Sequence, residues 1–130
     1  MEMCLSNGRG LRMAAEKHFE NKIKKFLKDN NAWFVKYFAN GYTKVGVPDI
    51  LACVNGYFLG IEVKASNGKP SPSQIHNLKK IDEAGGYAIL LYPDQFDLFK
   101  KLVDSLIMGD DYKSFIYYKE LKIRWKSEVN

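Results

Sequence analysis

The stretch from Gly46 to Ala65, GVPDILACVNGYFLGIEVKA, sets two apolar, β-branched runs on either side of Asn55-Gly56. Asn-Gly is the preferred pair for a two-residue type I′ turn, in which both central residues take positive φ, so Asp49 to Val54 and Tyr57 to Ala65 are predicted to pair as a β-hairpin. Facing residues in such a hairpin have residue numbers with a constant sum, and Asp49 and Glu62 share the sum of Asn55 and Gly56. Their side chains should therefore leave one face of the sheet from opposed positions, with β-carbons roughly 4.5–5.5 Å apart. Lys64 follows Glu62 by two and joins that face, while Ile61, Val63 and Ala65 point the other way into a core.

Upstream, Phe19, Ile23, Phe26 and Leu27 recur at helical spacing between Arg12 and Asn30, with lysines opposite, and predict an amphipathic helix. Trp33 to Phe38 reads as a strand and Ala39 to Val47 as a loop; residues 1–11 carry no periodic pattern and read as a mobile tail. The aromatic residues Trp33, Phe34, Tyr37 and Phe38 fit a core better than a base-stacking platform. Downstream, Ser71-Pro72 starts a helix bearing Ile75, Leu78 and Ile81, which ends at Gly85-Gly86. Tyr87 to Tyr92 is a strand apolar enough to be buried on both faces. Phe96 through Ile107 outlines another helix, stopped at Gly109. Residues 110–130 stay open between strand, from the alternation of Leu121, Ile123 and Trp125, and helix, from Phe115, Tyr118 and Ile123. The order αβββαβα predicts an α/β fold, a central mixed sheet with helices on both faces, with residues 12–109 as the main domain and 110–130 as an extension.

A chain of 130 residues, 46% hydrophobic and 27% charged, has the composition of one globular domain. No apolar run approaches the ~18 residues a bilayer needs and no secretory signal pattern opens the sequence, so the expectation is no membrane and a cytoplasmic location. Cys4 and Cys53 form no CxxC pair, which leaves neither a disulfide scaffold nor a zinc site to build on. The net charge of +5 favours polyanionic partners without naming one.

Two carboxylates held face to face repel each other unless a cation lies between them. Oxygen ligands without His or Cys suit a hard ion, so Mg²⁺ is the first choice and Mn²⁺ its substitute. An ion there lowers the pKa of bound water, and Lys64 beside it orients that water or stabilises a developing oxyanion, which points to phosphodiester hydrolysis. The competing reading of the same residues is a solvated Asp at a strand start beside an ordinary Glu-Lys pair.

Gly46-Val47-Pro48-Asp49 followed by Glu62-Val63-Lys64 has the PD-(D/E)XK form, and with the Asn-Gly turn and Ser71-X-X-Gln74 in this order the chain resembles the VRR-NUC (virus-type replication-repair nuclease) family, in its short phage-type versions, over roughly residues 16 to 103. The resemblance implies a restriction-endonuclease-like core and a metal-dependent, structure-selective DNA endonuclease in a phage or prophage setting, with four-way (Holliday) junctions favoured. Flap, nicked or linear DNA is the alternative substrate, and a non-catalytic DNA-binding module the alternative role. It also implies a further acidic ligand from the first helix, Glu20 before Glu16; the backbone carbonyl of Val63 as another ligand; and Gln74 near the site, although Ser71-X-X-Gln74 is equally a helix capping box. Lys36, Tyr42, Lys44 and Lys69, in or near the flanking loops, are the candidates for holding DNA. A resolvase cutting two strands symmetrically implies a homodimer, joined through the aromatic strand or the C-terminal segment.

Overall fold

Asn55 and Gly56 both take positive φ, 49° and 86°, and close the hairpin in the computed structural model, which describes residues 7–38 and 41–129. Strands β2 (Ile50–Val54) and β3 (Tyr57–Val63) pair antiparallel, with Ile50 opposite Ile61 and Val54 opposite Tyr57. Strand β1 (Trp33–Lys36) adds antiparallel to β2, and β4 (Tyr87–Leu91) adds parallel to β3. The sheet is thus mixed, in the order β1-β2-β3-β4. The remaining elements are helices α1 (Asn7–Asp29), α2 (Pro72–Glu83), α3 (Phe96–Met108) and α4 (Asp111–Lys126).

Strand alternation sorts the apolar residues into two layers. Ile50, Ala52, Val54, Leu59, Ile61, Val63, Ile89 and Leu91 pack with Phe19, Ile23 and Leu27 of α1 and Phe99, Leu102, Val103 and Leu106 of α3. On the opposite face Ala88 and Leu90 meet Ile75 and Leu78 of α2 and Trp125 of α4. A parallel β3–β4 pair needs a crossover, and α2 supplies it. It starts at Ser71, whose hydroxyl accepts from the Gln74 amide, while Pro72 gives up an N–H that has no helical partner.

The last helix decides what the sequence left open. Residues 111–126 are α-helical, with Leu121 and Trp125 fully buried. Their helix lies along the free edge of β4, where Ala88 N–H donates to the Tyr118 hydroxyl at 2.9 Å and Trp125 Nε1 donates to the Ala88 carbonyl at 2.8 Å. Edge groups that would otherwise be orphaned are satisfied by side chains, which is why a helix wins over a fifth strand.

Two other expectations need correction. Residues 7–11 are not a mobile tail but the first turns of α1; residues 1–6 of that tail lie outside the described residues, as do 39 and 40 of the predicted loop. The aromatic cluster is not uniformly core: Phe34 packs against the α1 layer, whereas Trp33, on the other face of the edge strand β1, and Phe38, beyond the strand's end, are exposed. Among the described residues no helix is long and apolar enough to cross a membrane.

Candidate active site

Extending the β2–β3 register by one residue past Ile50 and Ile61 sets Asp49 opposite Glu62. Asp49 sits at the mouth of the strand, where its Oδ2 accepts from the Val63 amide at 2.8 Å. Glu62, only 2% exposed, occupies the face of β3 that looks toward α2. Its Oε2 accepts from Gln74 Nε2 at 3.0 Å and lies 3.8 Å from Lys64 Nζ, but its Oε1 is buried without any hydrogen-bond partner. Burial, with the Asp49 charge added to it, pushes the Glu62 carboxyl up to about 9. With both acids ionised, Oε1 has no donor; a proton held on Glu62 supplies one and bonds the pair.

Gln74 satisfies both of the readings its position allows. Its Oε1 accepts from the Ser71 amide at 2.8 Å, completing the capping box, and this fixes the amide so that Nε2 points outward at Glu62. The helix start therefore acts as a bracket for an acid on the neighbouring strand. The loop before Asp49 is pinned to the same helix: Asn77 Nδ2 donates to the Val45 carbonyl at 3.1 Å and the Ser73 carbonyl at 2.9 Å. Gly46, at φ +81°, passes so close that a β-carbon there would stand 2.5 Å from the Ser73 oxygen.

The two glutamates of α1 part company. Glu20 is surrounded by cations: Lys36 Nζ donates to its Oε1 at 2.8 Å, and Lys24 and Lys17 lie 3.2 and 3.6 Å from Oε2. Burial opposes its charge, but Lys36 and Lys24 outweigh burial and hold its carboxyl below the usual range. Glu16, one turn earlier, also feels the site. Burial raises its carboxyl, Lys64 and the Ala65 backbone amide oppose that, and the Asp49 charge adds to it. Both helical acids thus border the Asp49–Glu62 pair, Glu20 through Lys36, which also reaches Asp49, and Glu16 through charge. The position of Glu16, four residues before Glu20 and seven before Ile23, on the buried stripe, is the signal that places it.

Lys36 does not stand in a loop open to DNA. It is half-buried, spanning Glu20 and Asp49 Oδ1, the latter at 3.4 Å, and these two acids overcome burial and raise its ammonium. Tyr42, Lys44 and Lys69 are exposed in the loops before β2 and after β3; the Lys44 carbonyl accepts from the Tyr37 hydroxyl at 3.1 Å. The Val63 side chain is fully buried, and its backbone amide is the group that holds Asp49.

Among the described residues no three His, Cys, Asp or Glu side chains are grouped as the ligands of an ion. The acids fit a magnesium ion nonetheless, because such an ion takes one or two carboxylates and leaves its other positions to water and phosphate, and the unmet Glu62 Oε1 beside Asp49 is an oxygen of the required kind. Compared with models of protein families and with curated proteins, the chain matches none.

Proposed function

We propose that the chain is a metal-dependent DNA endonuclease with a PD-(D/E)XK core of the VRR-NUC type. The observation that carries this reading is Glu62: a buried carboxylate with one oxygen unmet, pressed against a second acid, with Gln74 and Lys64 on its other oxygen. Structural ion pairs are arranged to cancel charge, whereas two acids packed so closely that one must hold a proton mark a site.

Asp49 and Glu62 would hold the ion, with the Val63 carbonyl as a further ligand and Glu16 close enough in charge to adjust it. Bound Mg²⁺, or Mn²⁺ in its place, supplies an acidified water and neutralises charge on the scissile phosphate. Lys64 orients that water or stabilises the oxyanion forming on phosphorus. Gln74 holds Glu62 in its rotamer, and Lys36 with the Val63 amide holds Asp49. In the net reaction the water oxygen bonds to phosphorus, the bridging P–O bond breaks, and the leaving oxygen takes up a proton.

By the same resemblance the favoured substrate is a four-way junction, cut by a homodimer. The test is a panel of four-way, flap, nicked and linear DNA with Mg²⁺, alongside Asp49→Asn and a sedimentation measurement of the assembly. Nicking of the junction by the native chain alone supports the proposal. Preference for linear duplex removes the resolvase, and equal cleavage by Asp49→Asn removes the metal site.

A further inference from the structure

Helix α1 runs past the sheet. Its face toward the protein is apolar at Phe19, Ile23 and Leu27 and acidic at Glu16 and Glu20, yet residues 8–15 are all exposed. At 3.6 residues per turn Arg9 lies about 20° and Arg12 about 40° from the azimuth of Glu16, one on either side. With a rise of about 1.5 Å per residue, Arg12 stands roughly 6 Å and Arg9 roughly 10 Å beyond Glu16 along the axis. The stripe that faces the sheet thus continues outward as arginine, beyond Glu16 and Glu20, the latter joined to Asp49 through Lys36.

Composition singles out the same pair. The chain carries 20 basic residues, of which only three are arginine, and two of these three are Arg9 and Arg12. Lys17 and Lys24 on the same helix are drawn to Glu20 and Lys25 pairs with Asp29, whereas Arg124 pairs with Asp94. Among the described residues Arg9 and Arg12 are exposed and form no such ion pair. A guanidinium presents a planar fork of donors that matches phosphate oxygens, which an ammonium does not. One turn of helix between them suits successive contacts along a polyanion.

We propose that the projecting turns of α1 are a phosphate-gripping arm, in which Arg9 and Arg12 hold the nucleic-acid backbone beside the point of cleavage. This rests on the nuclease reading for the identity of the polyanion and for the meaning of the adjacent site. The arm adds affinity without specificity, because phosphate contacts fix position and carry no sequence. Both residues sit outside the packed layers, so glutamine, which has a comparable helix propensity, replaces them without disturbing the fold.

The experiment measures equilibrium binding of a labelled four-way junction and a duplex across a salt series, with Ca²⁺ in place of Mg²⁺, for the native chain, R9Q/R12Q and a charge-matched K113Q/K119Q control on α4. Each phosphate contact contributes about 0.9 to the slope of log K against log salt. R9Q/R12Q should lower that slope by about 2 and weaken binding by roughly tenfold or more near 0.1 M salt. Single-turnover cleavage with Mg²⁺ at saturating DNA should stay within about threefold of native, since phosphate contacts position rather than react. A slope unchanged in R9Q/R12Q, or lowered equally in K113Q/K119Q, overturns the arm while leaving the nuclease intact. An arginine-dependent slope in a chain that cleaves no DNA keeps the arm and sinks the nuclease. No binding of either DNA by the native chain sinks both.

Discussion

Two polar clusters flank the sheet, one half-buried around Asp82 and one buried around Glu62, and they are built on opposite terms. Around Asp82 every charge has an answer: the Tyr118 hydroxyl donates to Asp82 Oδ1 at 2.8 Å while accepting from the Ala88 amide, and Lys122 Nζ lies 3.2 Å from the same carboxylate and 4.6 Å above the Tyr118 ring. Around Glu62 two acids face each other and one oxygen has no partner. The first cluster seals a sheet edge, and its tyrosine is pushed far above the usual phenol range by burial first and by Asp82 as well. The second holds two acids against each other by means of a helix cap and a backbone amide. The difference separates polar groups that maintain the fold from polar groups the fold maintains.

The sharpest way to break that contrast is Asp49→Asn. Cleavage should fall by about two to three orders of magnitude, as when a group at the reacting centre is lost, while the melting temperature without metal drops only modestly, with the loss of the Lys36 ion pair and of the proton bond to Glu62. Next is Glu62→Gln. Burial, with the Asp49 charge, pushes the folded carboxyl from an ordinary 4.5 up to about 9, so the folded state binds the extra proton between those limits. Its stabilising contribution is complete below the unfolded value and is lost as pH rises through the folded one. Unfolding free energies from urea titrations of the native chain in chelator should drop across that window by up to about 1.4 kcal/mol per pH unit, and Glu62→Gln should flatten the slope. A native curve that is flat from pH 5 to 9 would falsify the buried, protonated Glu62.

The satisfied cluster should respond in the opposite sense. Tyr118→Phe leaves the Ala88 amide and Asp82 short of a partner and should cost about 1–3 kcal/mol in denaturant unfolding, with cleavage at 25 °C unchanged. Loss of cleavage in folded Tyr118→Phe would erase the distinction between the clusters. Smallest is Ser71→Ala, which removes the cap at about 1 kcal/mol. It should also lower the cleavage rate a few-fold, because Gln74 loses the anchor that aims Nε2 at Glu62; a change in stability alone would make the bracket purely structural.

Much of this arrangement was legible in the sequence because local rules governed it. The Asn55-Gly56 turn fixes the register, and the register alone sets Asp49 against Glu62. Helix α2 announces itself through Ser71, Pro72 and Gln74. What local rules do not reach was misread or left open. Leu121 and Trp125 fit two periodicities, and only the exposed edge of β4 selects between them. Lys36 looks like a loop cation until Glu20, 16 residues away in sequence, is folded onto it. How Glu16 and Glu20 each border the site depends on where along α1 the sheet ends. Residues 7–11 contain Gly8 and Gly10, poor helix formers that hid the extension of α1.

Gly46 ties two parts of the proposed chemistry into one mechanical unit. Its backbone lies flat against Ser73 in the first turn of α2, with Asp49 three residues along one chain and Gln74 next along the other. A single methyl group at this spot would act as a wedge, prising strand mouth and helix tip apart together. The gap between an acid and its neighbour's bracket is thereby set by the thickness of a bare peptide.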